Sequence, residues 1–198
     1  MLNAHICLIE LSVSRDGYFS GGKCMTDTLL QQIFLLVQEG TNARDSNGNT
    51  ALILAAELGN MHLVKALFEC GTDINSRNHL GCDALDLAIL NRHPSLIQPL
   101  IDIGIALNNP GASNDLCYSR IFHAVSIGDQ HSVRILIKNG ATLSSFDLSE
   151  AIYKGSLEIV HLLLEKGPTR MHPADSMSFL YSLRSDDVLG LAKKIPQY

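Results

Sequence analysis

DSNGNTALILAAELGNMHLVKALFECGTDIN, residues 45–75, holds two short apolar runs, ALILAAELGN (51–60) and LVKALFECG (63–71), and decides how the rest of the chain is read. A glycine placed after the last apolar residue of a helix supplies the left-handed conformation that ends it, as Gly71 does here. Gly40, Gly104, Gly140 and Gly167 close comparable runs, and from Gly71 onward the intervals are 33, 36 and 27 residues. Aligned on these glycines, IFLLVQEG (33–40), LVKALFECG (63–71), LIQPLIDIG (96–104), VRILIKNG (133–140) and IVHLLLEKG (159–167) share one helical apolar stripe. Four earlier helices pair with them: 51–60, 84–93, 121–130 and 148–156. Small residues, Ala55, Ala56, Ala88, Ala124 and Ala151, recur where neighbouring pairs must approach closely. Each pair is apolar on more than one side and too short to stand alone, so it buries its surface only by stacking on a neighbour.

With Asp45, Gly48, Thr50, Ala55, Ala56, Gly59, Gly71, Asp73 and Asn75 in register, residues 45–75 resemble an ankyrin repeat almost from end to end. The 33-residue interval is the ankyrin period. The resemblance implies an all-α solenoid of stacked helix pairs joined by short hairpin fingers, in about five to six units. Residues 26–170 would form the repeats, 1–25 an atypical N-terminal segment or capping unit, and 171–198 a C-terminal capping helix pair. Two readings of the N-terminal part stand side by side. Either residues 4–12 form the first helix of the opening unit, followed by an enlarged loop, or residues 1–24 are a separate arm.

Departures from the family pattern are informative. The TPLH signature appears as Thr50-Ala51-Leu52-Ile53, without proline or histidine, so the histidine's hydrogen bonds must be replaced or absent. Pro94 suits a first helical position, whereas Pro99 lacks the N–H that would reach the Ser95 carbonyl and should kink its helix. Residues 141–150 leave no room for a full finger, so a tight turn is expected there. Residues 105–119, rich in Asn, Gly and Pro, should form an extended finger.

Composition bounds the function. The chain has 198 residues, 46% hydrophobic and 18% charged, enough to fill a continuous core, and its formal charge of -5 argues against attraction to nucleic acid. Five cysteines, Cys7, Cys24, Cys70, Cys82 and Cys117, have no metal-ligand spacing and suggest reduced thiols and a cytoplasmic location. The first residues make a poor secretory signal and are too few to span a bilayer. No GxSxG, P-loop, HExxH, EF-hand or CxxC motif is present, and neither His161 nor Asp186-Asp187 forms a catalytic set. The expectation is a monomeric, non-enzymatic module without metal or cofactor. Its partner would be a protein rather than nucleic acid or membrane.

In the family, function is carried by finger tips and by the exposed face of the first helices. Carried over by position, these are Arg44, Asn47 and Leu58, then Arg77, His79, Leu80, Leu90 and Asn91, then Tyr118, Ile127, Tyr153 and Lys154. Leu58, Leu90, Ile127 and Tyr153 would line an apolar groove for a helix or extended peptide, with Arg44, Arg77 and His79 at its rim. The same side chains could instead cover the roots of neighbouring fingers. Asn75 lies in a setting that resembles the finger asparagines modified by asparaginyl hydroxylases; alternatively its amide secures its own turn. A further reading is a bacterial effector acting in a host-cell cytosol, and a third is an enzyme with a site built from loop residues.

Overall fold

A computed structural model describes residues 25–108 and 119–165. The alternatives for residues 1–24, residues 109–118 of the long finger with Tyr118, and the C-terminal pair at 171–198 lie outside these. Two compact units divide the chain, one ending at Ala106 and the other beginning at Leu107.

The first unit contains α1 (Met25–Glu39), α2 (Ala51–Glu57), α3 (Met61–Glu69), α4 (Ala84–Leu90) and α5 (Pro94–Asp102). Here α2 and α4 pack against each other, α2 is flanked by α1 and α3, and α4 is backed by α5. In the second unit, α6 (Arg120–Ser126), α7 (Gln130–Lys138), α8 (Ser145–Tyr153) and α9 (Leu157–Glu165) repeat the plan, with α6 against α8 and α7 and α9 behind them. All elements among the described residues are helical, and within each unit they form stacked helix pairs of the kind the ankyrin resemblance implies.

Helices this short depend on their ends and neighbours rather than on propensity. Thr50, Asp83, Ser119 and Ser144 cap the first helices, each accepting a backbone N–H with its side chain. Asn60 and Asp129 do the same for α3 and α7. The cores are apolar and closed to solvent: Leu52, Leu54 and Ala55 of α2 and Leu85, Ala88 and Ile89 of α4 are at most 1% exposed. In the second unit Ile121, Ala124, Val133 and Leu136 are fully buried.

The missing TPLH histidine has local substitutes. In α4, Asp83 and Asp86 form a reciprocal capping box. In α8, Asp147 Oδ2 accepts the Ser144 N–H, and Oδ1 accepts the hydroxyl of Ser119, the cap of α6. One carboxylate thereby ties successive first helices. The short connection before α8, residues 141–144, carries no turn of its own and reaches the Ser144 cap as extended backbone, in place of the expected tight turn. Its Thr142 N–H donates to Asn108 Oδ1 at 2.9 Å. Because Ser144 caps it, α8 begins three residues earlier than the 148–156 expectation.

One thiol departs from the sequence reading. Cys70 is disulfide-bonded, whereas Cys82 is in the thiol form. The bridge at Cys70 departs from the expectation that all five cysteines are reduced. No helix among the described residues is long and apolar enough to cross a membrane.

The turn between paired helices needs a left-handed residue. Gly59, Gly128 and Gly155 fill it with φ of 72°, 71° and 66°, but the pair α4–α5 uses Arg92 at φ 60°. A side chain in that region costs about 1 kcal/mol through its Cβ. Arg92→Gly should raise the thermal midpoint; an unchanged or lower midpoint would show that contacts of the arginine offset the strain.

Candidate functional site

The fingers of the first unit, 45–49 and 78–82, are built by the same device 33 residues apart. Asp45 Oδ1 accepts the N–H groups of Asn47 and Asn49 at 2.9 and 2.7 Å, and Asn78 Oδ1 accepts those of Leu80 and Cys82 at 3.0 and 2.9 Å. A short polar side chain thus cages each turn from inside. Three bonds fasten finger to finger. The His79 N–H donates to the Asn47 carbonyl at 2.9 Å, Asn78 Nδ2 donates to Asn49 Oδ1 at 2.9 Å, and Arg44 donates to the Arg77 carbonyl. The His79 ring lies over Gly48, where a Cβ would meet it at 2.6 Å.

These contacts assign jobs to three of the anticipated rim residues. Arg44 also donates to the Gly48 carbonyl at 2.9 Å. Arg77 repeats this on Gly81 at 3.1 Å and pairs with the buried carboxylate of Asp83 at 3.8 Å. Both guanidinium groups brace their own fingers, and His79 is part of the finger-to-finger seam. Leu80, by contrast, projects from the second tip at 81% exposure.

An asparagine ladder runs below the fingers. Asn42 Oδ1 accepts the Asp73 N–H at 2.8 Å, and Asn75 Oδ1 accepts the Ala106 N–H at 2.9 Å. The Asn75 side chain therefore secures the next connection rather than its own turn, which Asp73 fixes through the Asn75 N–H and the Ser76 hydroxyl.

The anticipated apolar series does not form one row. The left-handed positions Gly59, Arg92, Gly128 and Gly155 set the register. Immediately before them stand Leu58, Asn91, Ile127 and Lys154, and one residue earlier come Glu57, Leu90, Ser126 and Tyr153. Leu58 and Ile127 are thus equivalent to each other but not to Leu90 and Tyr153, which sit about 100° away around their helices. In the first unit Leu58 is half-buried while Leu90 is exposed, and Asn91 bonds the Leu87 carbonyl at 3.0 Å. The finger residues and these helix ends are also separated by the length of α2 or α4, about 10 Å for seven residues.

Glu57, one of these end residues, is half-buried, and its carboxyl is held above the ordinary glutamate range, first by burial and second by the Asp45 charge. Its backbone carbonyl takes the His93 Nε2 at 2.9 Å, and the same ring fills the space that a Cβ on Gly59 would need. Glu57 and Leu90 thus occupy equivalent helix ends, one acidic and one apolar, while Leu80 projects from the second finger.

In the second unit Tyr153 is 84% exposed and Phe146, two turns earlier on α8, is 71% exposed. Lys154 pairs with Glu150 at 3.7 Å, close to the same strip. Sequence reasoning missed Phe146 because it placed the start of that helix beyond it; the Ser144–Asp147 capping pair was the available signal.

Asp147 is fully shielded from solvent, and its carboxyl is raised above the ordinary aspartate range by burial, with the Ser119 and Ser144 hydrogen bonds pulling the other way. A carboxyl raised on folding stabilises the fold at low pH and loses that contribution as pH climbs through the folded value. Asp147→Asn should therefore gain on the wild type in urea midpoint as pH rises from the ordinary aspartate range toward neutrality. A gap that stays constant or reverses would contradict the burial effect.

Among the described residues no group of three or more His, Cys, Asp or Glu side chains is placed to hold a metal ion.

Comparison with known proteins agrees with this architecture. Residues 24–111 match the family described as ankyrin repeats, three copies. "Ankyrin repeat and SAM domain-containing protein 6" of Danio rerio is 30% identical over 144 residues, covering 68% of this chain and 19% of that protein. A "Putative ankyrin repeat protein" of Rickettsia felis is 31% identical over 128 residues, 63% of this chain and 34% of the relative. The "Mitochondrial disaggregase" of Bos taurus is 28% identical over 119 residues, 60% of this chain and 17% of the relative. The chain spans between 17% and 34% of the length of these relatives.

Proposed function

Because this chain is an ankyrin-repeat protein, we propose that it acts as a non-catalytic binding module, holding a protein partner against the fingers and inner-helix ends of its first unit. Ankyrin repeats in general mediate protein–protein interaction, and the residues here give that role a location. The observation that carries the reading is the exposure of Leu80 and Leu90, 81% and 38%, beside fingers fastened to each other through Arg44, Asn78 and His79. Isolated apolar side chains on a preorganised polar frame are suited to act as anchors, since little side-chain or loop entropy remains to be lost on binding. Arg44, Arg77 and His79 serve this face by holding the fingers in place. Asn47 and Asn91 supply polar groups at its two ends.

The test is affinity capture with the wild type beside Leu80→Glu and Leu90→Glu, with Lys65→Glu on the outer surface of α3 as control. All four should give the same far-ultraviolet circular dichroism. A partner held by the wild type and the control but lost by both leucine variants is the expected result. Retention by both leucine variants would overturn the assignment.

A further inference from the structure

Asn47 precedes Gly48 and Asn139 precedes Gly140, and the fold holds these two asparagine side chains differently. Asn139 ends α7, with its Nδ2 donating to the Ile135 carbonyl at 2.8 Å. Asn47 is exposed at the tip of the first finger, and its carboxamide makes no hydrogen bond among the described residues. The neighbouring glycine nitrogens are engaged alike: Gly48 donates to the Asp45 carbonyl at 3.0 Å and Gly140 to the Ile137 carbonyl at 3.1 Å. What separates the two sites is the freedom of the carboxamide; at both, local structure must also open to let the glycine nitrogen reach it. At Asn47 the structure that must open is a finger turn, its tip exposed and its Gly48 buried beside the His79 ring. At Asn139 it is the last turn of a helix, anchored by the buried Leu136 and Ile137.

We infer that Asn47 is a site of spontaneous deamidation. The Gly48 nitrogen, after losing its proton to solvent base, bonds to Asn47 Cγ. The Cγ–Nδ2 bond breaks, ammonia leaves with a proton from solvent, and a cyclic imide remains. Water opens the ring at either carbonyl, giving aspartate or isoaspartate; no oxidant or cofactor takes part. Both products add a negative charge to the finger tip. Isoaspartate also runs the main chain through Cγ, one methylene longer, at the residue whose carbonyl accepts the His79 N–H. The seam between the two fingers is then displaced.

The experiment incubates the full chain at mildly alkaline pH, folded and in denaturing urea, and follows Asn47 and Asn139 by peptide mapping with separation of the aspartate and isoaspartate forms. In the folded chain Asn47 should convert about tenfold faster than Asn139, the factor corresponding to one tethering hydrogen bond. In urea the two should convert at similar rates. Equal rates in the folded chain, faster conversion at Asn139, or no conversion at Asn47 while the urea sample converts would overturn the inference. A preference that persists unchanged in urea would place its cause in local sequence and overturn it too. Asn47→Gln should abolish the modified finger peptide; its persistence would assign the change to Asn42 or Asn49 instead.

Discussion

Leu85→Ala should lower the stability of the first unit by roughly 2–5 kcal/mol, the range for emptying a fully buried leucine site. Leu85 lies one residue inside the Asp83-capped start of α4 and is 0% exposed. α4 contacts both α2 and α5, so its core face is shared between two layers and has little freedom to collapse around a cavity. The seven-residue helix cannot compensate by propensity, since a helix of that length is marginal without its neighbours. Urea unfolding followed by circular dichroism should show a lower midpoint. A loss below about 1 kcal/mol would mean that the site is less tightly packed than a stacked core requires.

Pro99→Ala should act in the opposite direction. Pro94 occupies the first position of α5, where a missing N–H costs nothing, but Pro99 falls inside the same helix. There it removes the bond that residue 99 would make to the Ser95 carbonyl, and an interior proline is disfavoured by about 3 kcal/mol relative to alanine. The helix persists because Leu96, Ile97 and Leu100 are all 0% exposed and hold it against α4. The substitution should raise the thermal midpoint by several degrees in differential scanning calorimetry. An unchanged or lower midpoint would count against a helical interior at Pro99.

The helix pairs were legible in the sequence because the terminating glycines mark them, and the 33-residue interval from Gly71 to Gly104 set the scale. The register of the binding face was less so. Where Gly59, Gly128 and Gly155 mark the left-handed turn, the sequence identifies the residue before it, and Lys154 could have been aligned with Leu58 and Ile127. Where Arg92 takes that role no glycine signals it, and Leu90 was read one place out of step. The roles of Arg44, Arg77 and His79 were hidden for a different reason. Their partners are backbone carbonyls and N–H groups of turns, which carry no side-chain signature and become visible only when the fingers lie side by side. The state of Cys70 was equally out of reach, because spacing says nothing about which thiols the fold brings together.

In a stack of helix pairs, successive first helices lie side by side in the same direction. Methyl nuclear Overhauser contacts between α2 and α4 test this directly. Parallel layers predict that residues 33 apart, Leu52 with Leu85 and Ala55 with Ala88, lead the pattern along the whole helix. A pattern in which the start of α2 meets the end of α4, or in which the two helices share no contacts, would contradict the stacked arrangement and the binding face built on it.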